Sequence, residues 1–287
     1  MNRVFIVGYG DIGQRVAQRW LQTDAEVFAL GRNVDVADSA ITPLRADLDR
    51  PQTLADLPTQ AAVIYYFAPP PAEGERDTRL ENFLGAVSGA ALPRRIIYIS
   101  TSGVYGDRRG AWVTEATAPQ PDTPRAQRRL AAELALQTWA KRYDVPCVIL
   151  RVGGIYGPGR LPLERLRQGL PVLRRDLAPP TNRIHADDLA HICQAAAAAP
   201  GMRPIYNVCD DQASTMSDYF IAVAEHAGLP RPREIDWQQA EAEFSPTMLS
   251  YLRESRRMDT SKLHRELDVE LRYPRLEQGL AACLAES

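Results

Sequence analysis

Val4-Phe5-Ile6-Val7 runs straight into Gly8-Tyr9-Gly10-Asp11-Ile12-Gly13, and a helical period follows in which Ile12, Val16, Trp20 and Leu21 share one face. No other stretch constrains the fold as much. A buried strand must turn through three glycines directly into an amphipathic helix. In that setting Gly8-x-Gly10-x-x-Gly13 reads as a dinucleotide-binding turn. Gly8 permits the tight turn, Gly10 lets backbone approach a pyrophosphate, and Gly13 lets the helix pack close on the strand. The helix start adds unpaired N–H groups and the positive end of a dipole. Tyr9, Asp11 and Ile12 lie in the same turn and count as cofactor-binding candidates with the glycines.

The chain has 287 residues, 45% of them hydrophobic, enough for one large domain or two intimate ones. A net charge of -2 gives no reason to expect nucleic acid or an anionic membrane as partner. No apolar run reaches the ~18 residues of a membrane span. The first strand begins almost at Met1, so no signal peptide is expected. Cys147, Cys193, Cys209 and Cys283 are far apart and read as reduced thiols of a cytoplasmic protein. His185, His191, His226 and His264 have no metal-ligand spacing, and no metal is expected.

Strand and helix patterns then alternate, which implies a Rossmann-like doubly wound α/β sheet. Glu26–Leu30 reads as the second strand and ends at Gly31-Arg32. An acid about twenty residues past the glycines would hold the ribose 2′-hydroxyl of NAD. Arg32 stands there instead, which favours NADP over NAD. Arg32 stacked on adenine or facing solvent is the plainer reading. Residues 44–48 suggest a third strand, with Asp47 and Leu48 beside the adenine, although Asp47 equally suits a turn at Asp49-Arg50-Pro51. Residues 62–68 form a continuous apolar run, a doubly buried strand whose end, Ala68-Pro69-Pro70, borders the cofactor. A helix is expected over 79–89. The strand 95–99 leads into Ser100-Thr101-Ser102-Gly103-Val104-Tyr105-Gly106, hydroxyls at the carboxyl end of a central strand, where α/β proteins do their chemistry.

Thr123 and Pro124 start the next helix, with Ala126, Leu130 and Leu134 as its apolar stripe. Arg125, Arg129 and Glu133 share a neighbouring face. The strand 145–152 opens into a glycine-dense loop over 153–159. Asp187 and Asp188 are expected to cap a helix reaching Ala199, and 205–208 gives a last strand. Beyond Asp210 the pattern changes to short helices with proline-rich joints. The division expected is 1–152 with 182–209 as the NAD(P)-binding domain, and 153–181 with 210–287 as a smaller, interleaved substrate-side lobe.

Four motifs together resemble one family: the glycine turn, Ser100-Thr101-Ser102-Gly103-Val104-Tyr105-Gly106, Arg151 with Tyr156-Gly157-Pro158-Gly159, and Arg183-Ile184-His185-Ala186-Asp187-Asp188. They resemble the extended short-chain dehydrogenase/reductases, the NAD(P)-dependent epimerases and dehydratases, and look nearest to the atypical YeeZ-like branch. The resemblance implies a catalytic Ser/Thr at Thr101 or Ser102, and a Tyr-x-x-x-Lys pair. That pair falls on Arg125 and Arg129. A guanidinium cannot lose a proton near neutrality, so Arg125 cannot act as the tyrosine does. Arg129 can still supply the positive charge at the nicotinamide ribose. Tyr105 is the remaining phenol near the hydroxyls. Arg125, Arg151, Tyr156, Arg160 and Arg183 are expected to bind substrate, and convergent arginines suit an acidic ligand such as a nucleotide-sugar diphosphate. The expected function is an oxidoreductase or epimerase with altered chemistry. The alternative is a non-catalytic NADP(H)-binding redox sensor or interaction protein. The family's habit of pairing through helices makes the helix from Pro124 a candidate homodimer surface.

Overall fold

The computed structural model describes residues 2–34, 36, 38–87, 89 and 91–285. Among them, seven strands form one sheet: β1 Asn2–Val7, β2 Ala25–Gly31, β3 Ile41–Arg45, β4 Val63–Tyr66, β5 Arg95–Thr101, β6 Cys147–Val152 and β7 Ile205–Val208. The order is β3-β2-β1-β4-β5-β6-β7, and every neighbouring pair is parallel. Winding reverses between β1 and β4. A crevice therefore opens beyond the carboxyl ends of these two strands, the place where doubly wound sheets bind ligands.

Alternation along the strands supplies two cores. Val4, Ile6, Val63 and Tyr65 face helices α1 (Asp11–Leu21) and α4 (Ala186–Ala196), packing on Ile12, Val16, Leu189 and Ile192. Phe5, Val7, Ile64 and Tyr66 face α2 (Thr78–Ala86) and α3 (Pro124–Tyr143), packing on Leu80, Phe83, Leu136 and Ala140. Separate apolar clusters gather outside the sheet. One joins Tyr156, Leu166 and Val172 to α5 (Met216–His226), and another holds Leu173, Ile235 and Leu252. Among the described residues no helix is long and apolar enough to cross a membrane.

Several local expectations are corrected. The third strand stops at Arg45, because Asp47 already turns the chain by accepting the Asp49 N–H at 3.0 Å. Helix α2 ends at Ala86, short of the expected 89, and Ser88 of the expected helix lies outside the described residues. Leu134 is 55% exposed and does not belong to the apolar stripe of α3, whereas Ala126 is buried and Leu130 packs on an apolar cluster. The buried face carries Ala126, Ala132, Leu136 and Ala140, where small side chains let the helix approach the sheet, together with Glu133 and Arg128. Thr123 precedes α3 in an extended conformation, but its hydroxyl makes no capping bond. Helix α4 is capped by His185, whose Nδ1 accepts from the Asp187 N–H at 3.2 Å. Asp188 instead accepts the backbone N–H groups of Arg272 and Tyr273 at 2.8 and 3.0 Å, fastening the C-terminal segment to this helix.

Candidate functional site

Gly8 sits at φ +99°, and a Cβ there would stand 2.6 Å from the Ala68 nitrogen. A Cβ on Gly13 would meet the Gly8 carbonyl oxygen at 2.7 Å. Gly10 is different: among the described residues a Cβ would find nothing within 4 Å. This open face lies at the start of α1, where Gly10 is the N-cap and no side chain caps the helix. Backbone N–H groups there suit a pyrophosphate. Asp11 Oδ1 accepts from Arg15 Nε at 2.8 Å, and Oδ2 accepts from Arg160. Burial disfavours the Asp11 charge, but the hydrogen bonds from Arg160 and Arg15 outweigh it and hold the carboxyl below its ordinary range. Arg160 thus ties the loop after β6 to the glycine turn.

One end of the crevice is a pocket lined by Gly8, Gly31, Arg32, Asp47, Leu48, Asp49, Ala68, Pro69 and Arg79. It collects the adenosine-side residues expected from sequence. Arg79 was not among them, since as the second residue of a helix after a proline loop it carries no motif.

Along the crevice lies a cleft of about 380 Å³, lined in part by Pro70, Thr101, Ser102, Arg125, Arg129 and Arg183. Two residues from the far end of the chain, Glu254 and Arg256, complete it with Tyr251. Thr101 Oγ1 accepts the Gly103 N–H at 3.2 Å. Arg129 Nη1 donates to Tyr98 OH and the Ile99 carbonyl at 3.1 and 3.3 Å. Arg125 donates to Ser250 Oγ and Glu254 Oε1, both at 2.7 Å, and its guanidinium lies 4.2 Å from the Tyr251 ring centre. Arg256 takes the other Glu254 oxygen at 3.0 Å. The lining therefore holds four guanidiniums and one carboxylate, Glu254, which is taken by Arg125 and Arg256. Arg183 is only 6% exposed. Its Nη2 reaches Thr181 Oγ1 at 3.3 Å and Met216 Sδ at 3.6 Å, and its Nε has no partner among the described residues.

Four expected residues point elsewhere. Arg151 is buried and donates to Glu133 through Nε at 3.1 Å and Nη2 at 2.7 Å. Tyr105 is buried, with its hydroxyl donated to Asn207 Oδ1 at 2.7 Å, and burial pushes the phenol above its ordinary range. Tyr156 packs edge-on against His185 and lies outside the cleft lining. Arg160 is engaged with Asp11, not with the cleft. Motif position places a residue near a strand end but leaves open which face its side chain takes.

Behind Arg183 lies Asp210, 5% exposed, whose Oδ1 has no partner among the described residues. Burial pushes its carboxyl up to about 8, against the pull of the Arg183 charge. The folded protein therefore keeps a proton that the unfolded chain loses near pH ~4. This stabilisation is complete below about pH 4 and lost as pH rises through about 8. Asp210→Asn should therefore gain on the wild type in melting temperature between about pH 5 and pH 9, by about 3 °C or more. Paired thermal melts read this gain, and a difference that does not vary with pH would contradict it.

Residues 4–209 match the model of the NAD dependent epimerase/dehydratase family. The chain belongs to that family. Protein YeeZ of Escherichia coli is 27% identical over 289 residues, covering 96% of this chain and 97% of YeeZ. The dTDP-D-glucose 4,6-dehydratase of Mus musculus is 33% identical over 82 residues, only 29% of this chain and 23% of that protein. The chain thus matches about a quarter of the dehydratase's length. The UDP-glucose 4-epimerase of Thermotoga maritima, solved with UDP-glucose, superimposes with a TM-score of 0.80 at 17% identity, covering 99% of this chain and 97% of that one. At that identity the likeness shows the fold. For an NAD(P)-dependent epimerase/dehydratase family member, the open face of Gly10 fits the dinucleotide that the family uses.

Proposed function

We propose that this protein binds NADP in preference to NAD and acts as an oxidoreductase or epimerase on an anionic, nucleotide-sugar-like substrate, without the Tyr-x-x-x-Lys pair. The observation that carries the reading is Arg183: a buried guanidinium that lines the cleft and, among the described residues, has an unmet N–H and makes no hydrogen bond to an acid. Its guanidinium carbon lies 4.0 Å from the Tyr219 ring centre, which offsets only part of the cost of burying the charge, and an anionic ligand relieves more of it through charge-assisted hydrogen bonds. UDP-glucose in the Thermotoga maritima epimerase is a ligand of this class.

The dinucleotide, when bound, supplies hydride donation or acceptance. Thr101 and Ser102 present hydroxyls where a substrate oxygen would lie, at the end of β5. Arg125 and Arg129, on one face of α3, stand where the resemblance puts Tyr and Lys. Arg129 is the fixed positive charge beside the hydroxyls. Arg125 is held by Glu254 and cannot shuttle a proton. Arg32 is the residue that would meet a 2′-phosphate. The protein is further proposed to be a cytoplasmic homodimer. One observation favours a second reading, an NADP(H) sensor without turnover: Tyr105 is sequestered on Asn207 and no phenol replaces it at position 125.

Arg183→Gln should weaken UDP-glucose binding by about 10- to 100-fold while leaving NADP affinity unchanged. Calorimetric titration checks both. An unchanged UDP-glucose affinity would remove the anion reading. Turnover by the wild type with nucleotide sugars and NADP(H) would exclude the sensor.

A further inference from the structure

The adenosine pocket has a charge pair at its rim that the preceding reading does not use. Asp49, from the turn after β3, accepts from Arg79 Nε at 2.9 Å and Nη2 at 2.7 Å. Arg79, in the first turn of α2, also donates through Nη1 to the Pro69 carbonyl at 3.1 Å. The pair therefore bridges two segments that border the pocket, and Arg32 at the end of β2 lines the same pocket. Asp47, also in the lining, has Arg50 at 3.8 Å. The Arg79 hydrogen bond and the nearby Arg32 charge both hold the Asp49 carboxyl below its ordinary range. Asp49 and Arg32 are thus electrostatically coupled across the pocket.

We propose that the Asp49–Arg79 pair sets the discrimination between phosphorylated and unphosphorylated dinucleotide. Arg79 cancels Asp49, so Arg32 meets a ribose 2′-phosphate as an uncompensated cation. Without Arg79, the Asp49 charge would face that phosphate and repel it. A 2′-hydroxyl has no charge and is indifferent to this balance. The inference rests on the dinucleotide reading of the glycine turn and adds to Arg32 the two residues that make its charge effective. The pair is partly exposed and contributes little to folding stability, so its variants can be compared as folded proteins.

The test is titration of NADP and NAD into the wild type, Asp49→Asn, Arg79→Gln and the double variant. Asp49→Asn should raise NADP affinity about 3- to 10-fold, and Arg79→Gln should lower it about 10-fold. The double variant should return to within about 3-fold of the wild type, and NAD affinity should move by less than about 2-fold throughout. A structural tether would not give opposite signs for the two single variants. If both variants weaken NAD and NADP alike, Arg79 only holds the Pro69 loop and the proposal is overturned. If every form binds NAD and none binds NADP, the proposal fails while the dinucleotide reading stands. If the wild type binds neither, the dinucleotide reading fails and takes the proposal with it.

Discussion

Gly10→Ala should leave the protein folded and cost it at least about 100-fold in dinucleotide affinity. Among the described residues a methyl group at this position touches nothing within 4 Å, and the backbone at φ -90° is open to any residue. Nothing in the fold resists the change, so the melting temperature should stay within about 2 °C. The empty space is the cost-bearing feature: it is where a pyrophosphate must come within hydrogen-bonding reach of backbone N–H groups. Gly8→Ala is the contrasting case. There φ is +99° and the new Cβ would meet backbone, the Ala68 nitrogen, at 2.6 Å. That variant should lose about 3 kcal/mol of stability in urea denaturation before any question of binding arises. The two alanines separate what the glycine turn does for the fold from what it does for a ligand. Dinucleotide affinity unchanged in Gly10→Ala would mean that the turn is not a pyrophosphate cradle.

The sheet was legible because its signal is local and strong. Val63-Ile64-Tyr65-Tyr66 is buried on both faces, and only a central strand of a covered sheet accommodates such a run. The alternation of strands with helices then fixes the winding. Polar side chains behave differently, because a motif reports position along the chain and not direction. Ser100 and Arg151 are register partners on β5 and β6, and both turn to Glu133 on α3. Thr101, one residue on, faces the cleft. A one-residue step thus separates an interior network from the candidate chemistry. Leu134 was misread for a related reason: counting apolar residues on α3 could not reveal that Glu133 is drawn inward by a strand arginine. Glu254 and Arg256 were missed because the cleft borrows them from a segment about 150 residues downstream of the hydroxyl motif, with no pattern of their own. Arg79 was missed because only its partner across the pocket gives it meaning.

The second large effect concerns Arg151. Arg151→Ala should cost about 3–5 kcal/mol of folding stability, read by urea denaturation, because it strands Glu133 as an unpaired buried charge. Both side chains are almost wholly enclosed, at 3% and 2% exposure. Glu133 also accepts from Ser100 Oγ at 2.5 Å, so the loss extends to the end of β5, next to Thr101. Replacing the pair together, with Arg151→Met and Glu133→Leu, should recover most of the stability, since well-packed apolar groups often substitute for a buried ion pair at little cost. The substrate-binding role expected from sequence makes the opposite forecast: Arg151→Ala as stable as the wild type, with ligand affinity alone reduced. The network lies beneath the hydroxyls, not among the lining residues. Ligand affinity per folded molecule should therefore survive in the double variant, and a double variant that folds well yet no longer binds ligand would return Arg151 to the cleft.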